Sequence, residues 1–365
     1  MFSLSRLVVI ASLLVLAGGC QSVPPAAPAA IAKGDYAAVR EYLALRIPYD
    51  MRAYKVPGLS IAIVDDQRVV WSTGFGYADP SLHRTATSDT LYRVGAISKI
   101  VTAAGVLRAA DEGRLALDAP ASETLPEWEV QPRRNAMQWM GADPFTARHL
   151  LDQRPDTLED TMGRARADMA YALLGDMVAH AAQESLDGYV RRTILQPLNM
   201  PRAGFQVNAR MLEQRAAGYR RGLAWAETPQ PNEAADGLWM STSEMARFSA
   251  MLFANGLYQG KRVLKDESAQ TVMNLETVAA GMDLGCRLAL SWLAAPCEDD
   301  DIAGPALRAH SGATEAFHSR FLLAPRDKIA VLVMSNSDTG EPLVAAVSTL
   351  AMNLMRSAKY GPAVD

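Results

Sequence analysis

The chain has 365 residues, 49% of them hydrophobic and 21% charged, with a formal net charge of −4. That length supports one large or two modest soluble domains, and the mild acidity, without a Lys/Arg cluster, excludes a phosphate-binding stripe for nucleic acid. At the N-terminus Arg6 precedes an apolar run from Leu7 to Leu16, too short to span a bilayer but suited to a secretory signal. The Pro/Ala-rich stretch that follows reads as an extended tether over 21–34. From Asp35 to Tyr54 the residues Tyr36, Val39, Leu43 and Ile47 recur near helical spacing, and Val56-Pro57-Gly58 ends that helix. Two β-rich runs follow, Leu59 to Val64 and Val69 to Tyr77, joined by the turn Asp65-Asp66-Gln67. A long apolar helix is expected from Ala96 to Glu112, with Gly113 as its stop. Further helices are expected over Phe145 to Leu151, Tyr171 to Ala182 and Tyr189 to Leu195. Ser241-Thr242-Ser243-Glu244 has the spacing of a capping box that opens a helix reaching Ala254. The C-terminal part turns β-rich, with strands at Leu307 to Ala309, Phe317 to Ala324 and Ile329 to Ser335, before a last helix from Pro342 to Met355.

β-rich ends therefore enclose a helical middle. The pattern predicts an α+β fold: an antiparallel sheet built from both ends of the chain, flanked by terminal helices, with an all-helical region inserted at 115–270. The expected organisation is a signal over 1–20, the tether, and one domain over 35–358.

The stretch Tyr92-Arg93-Val94-Gly95-Ala96-Ile97-Ser98-Lys99 resembles the first active-site segment of the penicillin-recognising serine hydrolases, which comprise class C β-lactamases, D,D-peptidases and related esterases. Val56 to Val64, Gly74 to Asp79, Leu115 to Pro120, Tyr171-Ala172-Leu173-Leu174-Gly175 and Asp236-Gly237-Leu238-Trp239 carry the same resemblance, which spans Ala37 to Arg356. It implies a β-lactamase/D,D-peptidase-like fold. The family places a nucleophilic Ser at a helix start and a Lys one turn later, S-x-x-K, so that the amine lies against the hydroxyl. Here Lys99 is present, but Ala96 stands at the nucleophile position. Ser98 is two residues further on, about 200° around the helix, and is expected to face away from the cleft. The second family motif, Tyr-x-Asn or Ser-x-Asn, falls on Arg166-Ala167-Asp168; a plain surface loop is the competing reading of those residues. An Arg cannot accept a proton at neutral pH, so the proton relay of a Tyr is lost. The third motif survives as His310-Ser311-Gly312, with Ala313 and Thr314 following, and its Gly lets a ligand approach a strand edge.

Departures at two separated motifs, together with Asp152 to Asp156 where the family has His-Thr-Ser-Gly-Leu, point to a natural non-catalytic descendant. The alternative is a working hydrolase with a displaced nucleophile. The resemblance implies an oxyanion hole made by the backbone N–H groups of Ala96 and Ala313, which a Ser-to-Ala change leaves in place. Lys99 and Arg166 would add positive charge beside them, with Asp168 where a substrate-contacting amide would stand. A peptide or carboxylate ligand, peptidoglycan-derived material among them, is the expectation, with no cofactor and no metal.

Ala17-Gly18-Gly19-Cys20 resembles a bacterial lipobox, which implies lipidation of Cys20, export, and a membrane-anchored periplasmic protein; processing within Ala26 to Ala30 is the alternative. Outside the cytoplasm Cys286 and Cys297 are expected to pair around a strand and turn, with two separate thiols as the alternative. His149 and Trp239 read as packing residues. Glu298 to Asp301 reads as a solvated loop, calcium binding being the weaker reading.

Overall fold

Period-two alternation decides how the central sheet is buried. In β1 (Gly58–Asp65) and β14 (Ile329–Ser335), Ile61, Ile63, Val331 and Val333 join one core cluster, whereas Ala62, Val64, Ala330 and Leu332 join another. A strand covered on both faces is nearly continuously apolar, as β14 is from Ile329 to Met334, and all seven of its residues are buried. The computed structural model describes residues 23–125, 145–151, 161–228, 232–273, 287–289, 292–295 and 307–361. The first cluster packs the sheet against α1 (Tyr36–Tyr54), through Val39, Leu43 and Ile47, and against the C-terminal helix Glu341–Tyr360, through Val347, Ala351 and Met355. Asp65, at the end of β1, ties all three together: Tyr36 Oη and Lys359 Nζ each donate to it at 2.6 Å.

The remaining strands are β2 (Arg68–Asp79), β3 (Arg84–Thr85), β4 (Tyr92–Arg93), β5 (Gly218–Arg220), β6 (Leu223–Trp225), β7 (Trp239–Met240), β8 (Leu257–Tyr258), β9 (Lys261–Arg262), β10 (Arg287–Ala289), β11 (Trp292–Ala295), β12 (Leu307–Ala313) and β13 (His318–Ala324). Eight strands form one sheet in the order β10-β11-β12-β13-β14-β1-β2-β3, every neighbouring pair antiparallel. The first and last portions of the chain meet at β1–β14, with Leu59 opposite Ser335 and Asp65 opposite Ile329. The sheet is thus built from both ends, as the sequence predicts.

The second core cluster lies between the other sheet face and the inserted region. Its helices are α2 (Ser98–Asp111), α3 (Ala147–Leu151), α4 (Thr161–Ala182), α5 (Leu186–Val190), α6 (Ala209–Leu212), α7 (Glu233–Asp236), α8 (Thr242–Phe253) and α9 (Asp266–Met273); the C-terminal helix is α10. The capping box forms as expected: Ser241 Oγ accepts from Glu244 N, and the Glu244 carboxylate accepts from Ser241 N.

Four expectations change. The insert is not wholly helical: it holds the hairpins β5–β6 and β8–β9, because Arg221-Gly222 and Gln259-Gly260 adopt the paired positive φ that a tight hairpin turn requires. α4 begins ten residues before Tyr171, so Arg166-Ala167-Asp168 sits on a helix and not in a loop; Met162, Ala165, Ala167 and Met169 are good helix formers with no proline among them. The tether docks early, with Ile31 buried in the first core cluster and Gly34 N donating to Ala358 O. Ala96 lies in a 3₁₀ turn, Gly95–Ile97, and the α-helix proper starts at Ser98. The hairpin β10–β11 occupies the segment between Cys286 and Cys297, but both cysteines, like Cys20 and Glu298 to Asp301, lie outside the described residues.

Candidate active-site cleft

The cleft is set by a backbone contact. Gly95 has φ +56°, and a Cβ there would lie 2.7 Å from Ala313 N; a Cβ at Gly312 would lie 1.9 Å from the Val94 carbonyl oxygen. No side chain fits at either position, so β12 presses directly on the turn that carries Ala96. Ser319 Oγ locks the contact by donating to Val94 O at 2.9 Å. The segments that bear the Ala96 and Ala313 amides are thereby held side by side.

Between Leu91 and Ile100, Ala96 alone is half-buried while its neighbours are buried, so position 96 comes nearest the surface, with a methyl group where the resemblance implies a hydroxyl. Ser98 does not replace it. Its side chain is wholly buried, its Oγ donates to Gly95 O at 2.6 Å, and it accepts from Leu238 N at 3.0 Å. That hydroxyl staples the turn to the stretch before β7.

Lys99, one turn after Ala96, forms an ion pair with Asp168: Nζ lies 2.6 Å from Oδ1, with the Lys side chain 8% exposed and the Asp side chain 32%. Two sequence-predicted residues about seventy positions apart thus meet. Asp236, at the end of α7, belongs to the same group. Burial and the charge of Asp168 push its carboxyl up, while Arg93 and Lys99 pull it down, and its Oδ1 has no hydrogen-bond partner. Nothing in the sequence marked Asp236 beyond its place in the family-like stretch Asp236-Gly237-Leu238-Trp239.

His310 faces this group from β12, with its Nδ1 3.1 Å from Ser311 O. Burial, reinforced by the Lys99 charge, pushes its imidazole down to about 3. His310 is therefore neutral at physiological pH. Gly312 is buried with it, whereas Ser311 and Ala313 are exposed on alternate positions of the strand. Arg166 lies on α4 two residues before Asp168, and its side chain is outside the described residues. The expected surplus of positive charge at the cleft is corrected for Lys99, whose charge is matched by Asp168.

A family model described as Beta-lactamase matches residues 37–354. The chain belongs to the beta-lactamase family. Among curated relatives, Protein flp of Staphylococcus aureus (strain MRSA252) is 24% identical over 339 residues, covering 85% of this chain and 66% of that protein. The chain thus spans just under two thirds of the length of that relative. A beta-lactamase of Yersinia enterocolitica is 23% identical over 331 residues, covering 79% of this chain and 84% of that one. Among solved structures, a beta-lactamase/D-alanine carboxypeptidase from Pseudomonas syringae superposes with a TM-score of 0.69 at 19% identity, covering 88% of this chain and 99% of that chain. The octameric penicillin-binding protein homologue from Pyrococcus abyssi gives 0.67 at 23% identity, covering 88% and 78%. These likenesses establish the β-lactamase/D,D-peptidase-like fold.

In this family member His310 makes stability depend on pH. Its folded pKa lies below the unfolded value of about 6.5, so the unfolded chain binds the proton more readily. The contribution is complete above about pH 6.5 and is lost as pH falls towards the folded value. Urea unfolding at pH 7.5 and pH 5 should show the unmodified protein losing up to about 2 kcal/mol more than His310→Gln. Equal losses in the two proteins would mean that His310 is not held neutral.

Proposed function

We propose that this chain is a non-catalytic member of the beta-lactamase family that binds a ligand in its cleft as a lipoprotein of the cell envelope. The observation that carries the proposal is the Lys99–Asp168 ion pair beside the methyl group of Ala96. Acyl transfer by the serine route needs a hydroxyl to attack and a base to take its proton. Ala96 supplies no hydroxyl. A lysine paired with a carboxylate is an ammonium, with three donors and no acceptor. His310 is neutral but lies on β12 with no serine at position 96 to serve. The reading of a hydrolase with a displaced nucleophile loses its nearest candidate at Ser98, whose hydroxyl is already used in both directions.

What supports binding is the backbone. The amides of Ala96 and Ala313 suit a carbonyl or carboxylate oxygen, and replacing a serine by alanine removes neither. Because Asp168 matches the charge of Lys99, the peptide carbonyl is the better fit of the two. A solved relative is described as a beta-lactamase/D-alanine carboxypeptidase, which makes a peptide ending in a D-alanine-type residue the first ligand to test. Export and lipidation rest on the signal and Cys20.

Two outcomes are expected. A fluorescent β-lactam or phosphonate should leave the unmodified protein unlabelled in gel fluorescence and intact-mass analysis. Ala96→Ser should label weakly at most, and adding Arg166→Tyr and Asp168→Asn should increase labelling. Burst hydrolysis by the unmodified protein would end the proposal. For the anchor, Cys20→Ala should move the protein from the membrane to the soluble fraction, and identical fractionation of the two would remove lipidation.

A further inference from the structure

A cavity lies beside the first residue of α7. While Asp236 at one end of this short helix faces Lys99 and Asp168, Glu233 at its other end lines a cavity of about 290 Å³. Arg93, Phe205, Arg215, Glu227 and Trp239 line it too. A neighbouring cavity of about 430 Å³ shares Gln206 and Glu233 with it, so the two adjoin.

Two of the charged groups here, Arg93 and Arg215, are held in place, and Glu233 is exposed. Arg93 is 6% exposed; its Nη1 donates to Glu227 Oε2 at 3.1 Å and to Thr228 O at 3.0 Å. Its Nε has no hydrogen-bond partner. That Nε is closed off from solvent, so Arg93 serves the cavity through its pair with Glu227. The Arg215 guanidinium stacks over the Trp239 ring, 5.0 Å from its centroid, and forms no ion pair among the described residues. Stacking of this kind fixes the plane of the guanidinium while leaving its edge free to bind a carboxylate in a fork. Glu233 likewise has no ion pair among the described residues. Partial burial and the charge of Asp187 push its carboxyl up, while the charge of Arg93 pulls it down.

With Arg93 and Glu227 paired to each other, the unpaired groups are one cation, Arg215, and one anion, Glu233. A simple anion would satisfy the first and be repelled by the second, and a simple cation the reverse. From this arrangement we propose that the cavity binds a free α-amino acid, its carboxylate on Arg215 and its ammonium on Glu233. Trp239 and Phe205 form the apolar wall for the side chain, and the volume limits that side chain to a small or medium one. The proposal does not rest on the function proposed for the Ala96 groove.

Titration calorimetry on the mature full chain tests this, with glycine, L-alanine, D-alanine, acetate and ethylammonium as probes. Saturable binding of at least one of the amino acids is expected, with acetate and ethylammonium at least about tenfold weaker. Glu233→Gln and Arg215→Leu should each weaken amino-acid binding by about tenfold or more, because each removes one charged contact. The enantiomer preferred by the cavity is read from the same series. The proposal is overturned if no amino acid binds saturably, if acetate or ethylammonium binds as tightly as the amino acids, or if Glu233→Gln leaves the affinity unchanged. Should a variant fail to fold, the comparison among the five probes on the unmodified protein decides the matter.

Discussion

The contact of β12 with the turn at Val94-Gly95 governs the architecture around the cleft. Two positions without side chains, Gly95 and Gly312, let two backbones meet at distances that no Cβ would permit. Ser319 fixes the meeting by donating to Val94 O, and Ser98 fixes the far side of the turn by bridging Gly95 O and Leu238 N. Tyr92 and Trp239 each set an edge against Phe317, so aromatic packing closes the space behind it. The sheet and the inserted helices are thereby joined at the place where the segments bearing Ala96 and Ala313 lie side by side. None of these interactions involves a side chain at position 96, which explains how the groove keeps its shape with a methyl group there.

Charge takes a different course. In a hydrolase of this kind a lysine one turn after the nucleophile would be poised against a hydroxyl. Here Asp168 reaches Lys99 from α4, Asp236 stands close by, and His310 is buried in its neutral form. A lysine buried without a partner would be costly, so the loss of one neighbour favours the gain of another. Under the proposed non-catalytic reading the carboxylate at position 168 and the methyl at position 96 belong together: the ammonium is held by Asp168 and has no hydroxyl at position 96 to act on.

Much of this was legible in the chain. The strands at Leu59 to Val64 and Ile329 to Ser335 and the capping box at Ser241 follow from local composition and sequence motif, and the structure places them as expected. Three features were not legible. The start of α4 depends on ordinary helix formers in a stretch read either as the second family motif or as a surface loop, ahead of a helix expected only from Tyr171. The meeting of Lys99 with Asp168 is a long-range contact, which no local pattern encodes. The cavity beside Glu233 draws on segments around Arg93, Phe205, Arg215, Glu227 and Trp239, and only the folded chain brings them together.

The central claim is that Lys99 serves as the partner of Asp168. A double-mutant cycle on unfolding free energy measures this directly, using Lys99→Met, Asp168→Leu and the pair combined in urea titrations at pH 7.5. The account predicts that the two substitutions are coupled by at least about 1 kcal/mol, the double variant being more stable than the sum of the single losses implies. Additive losses, with no coupling between the two positions, would contradict it.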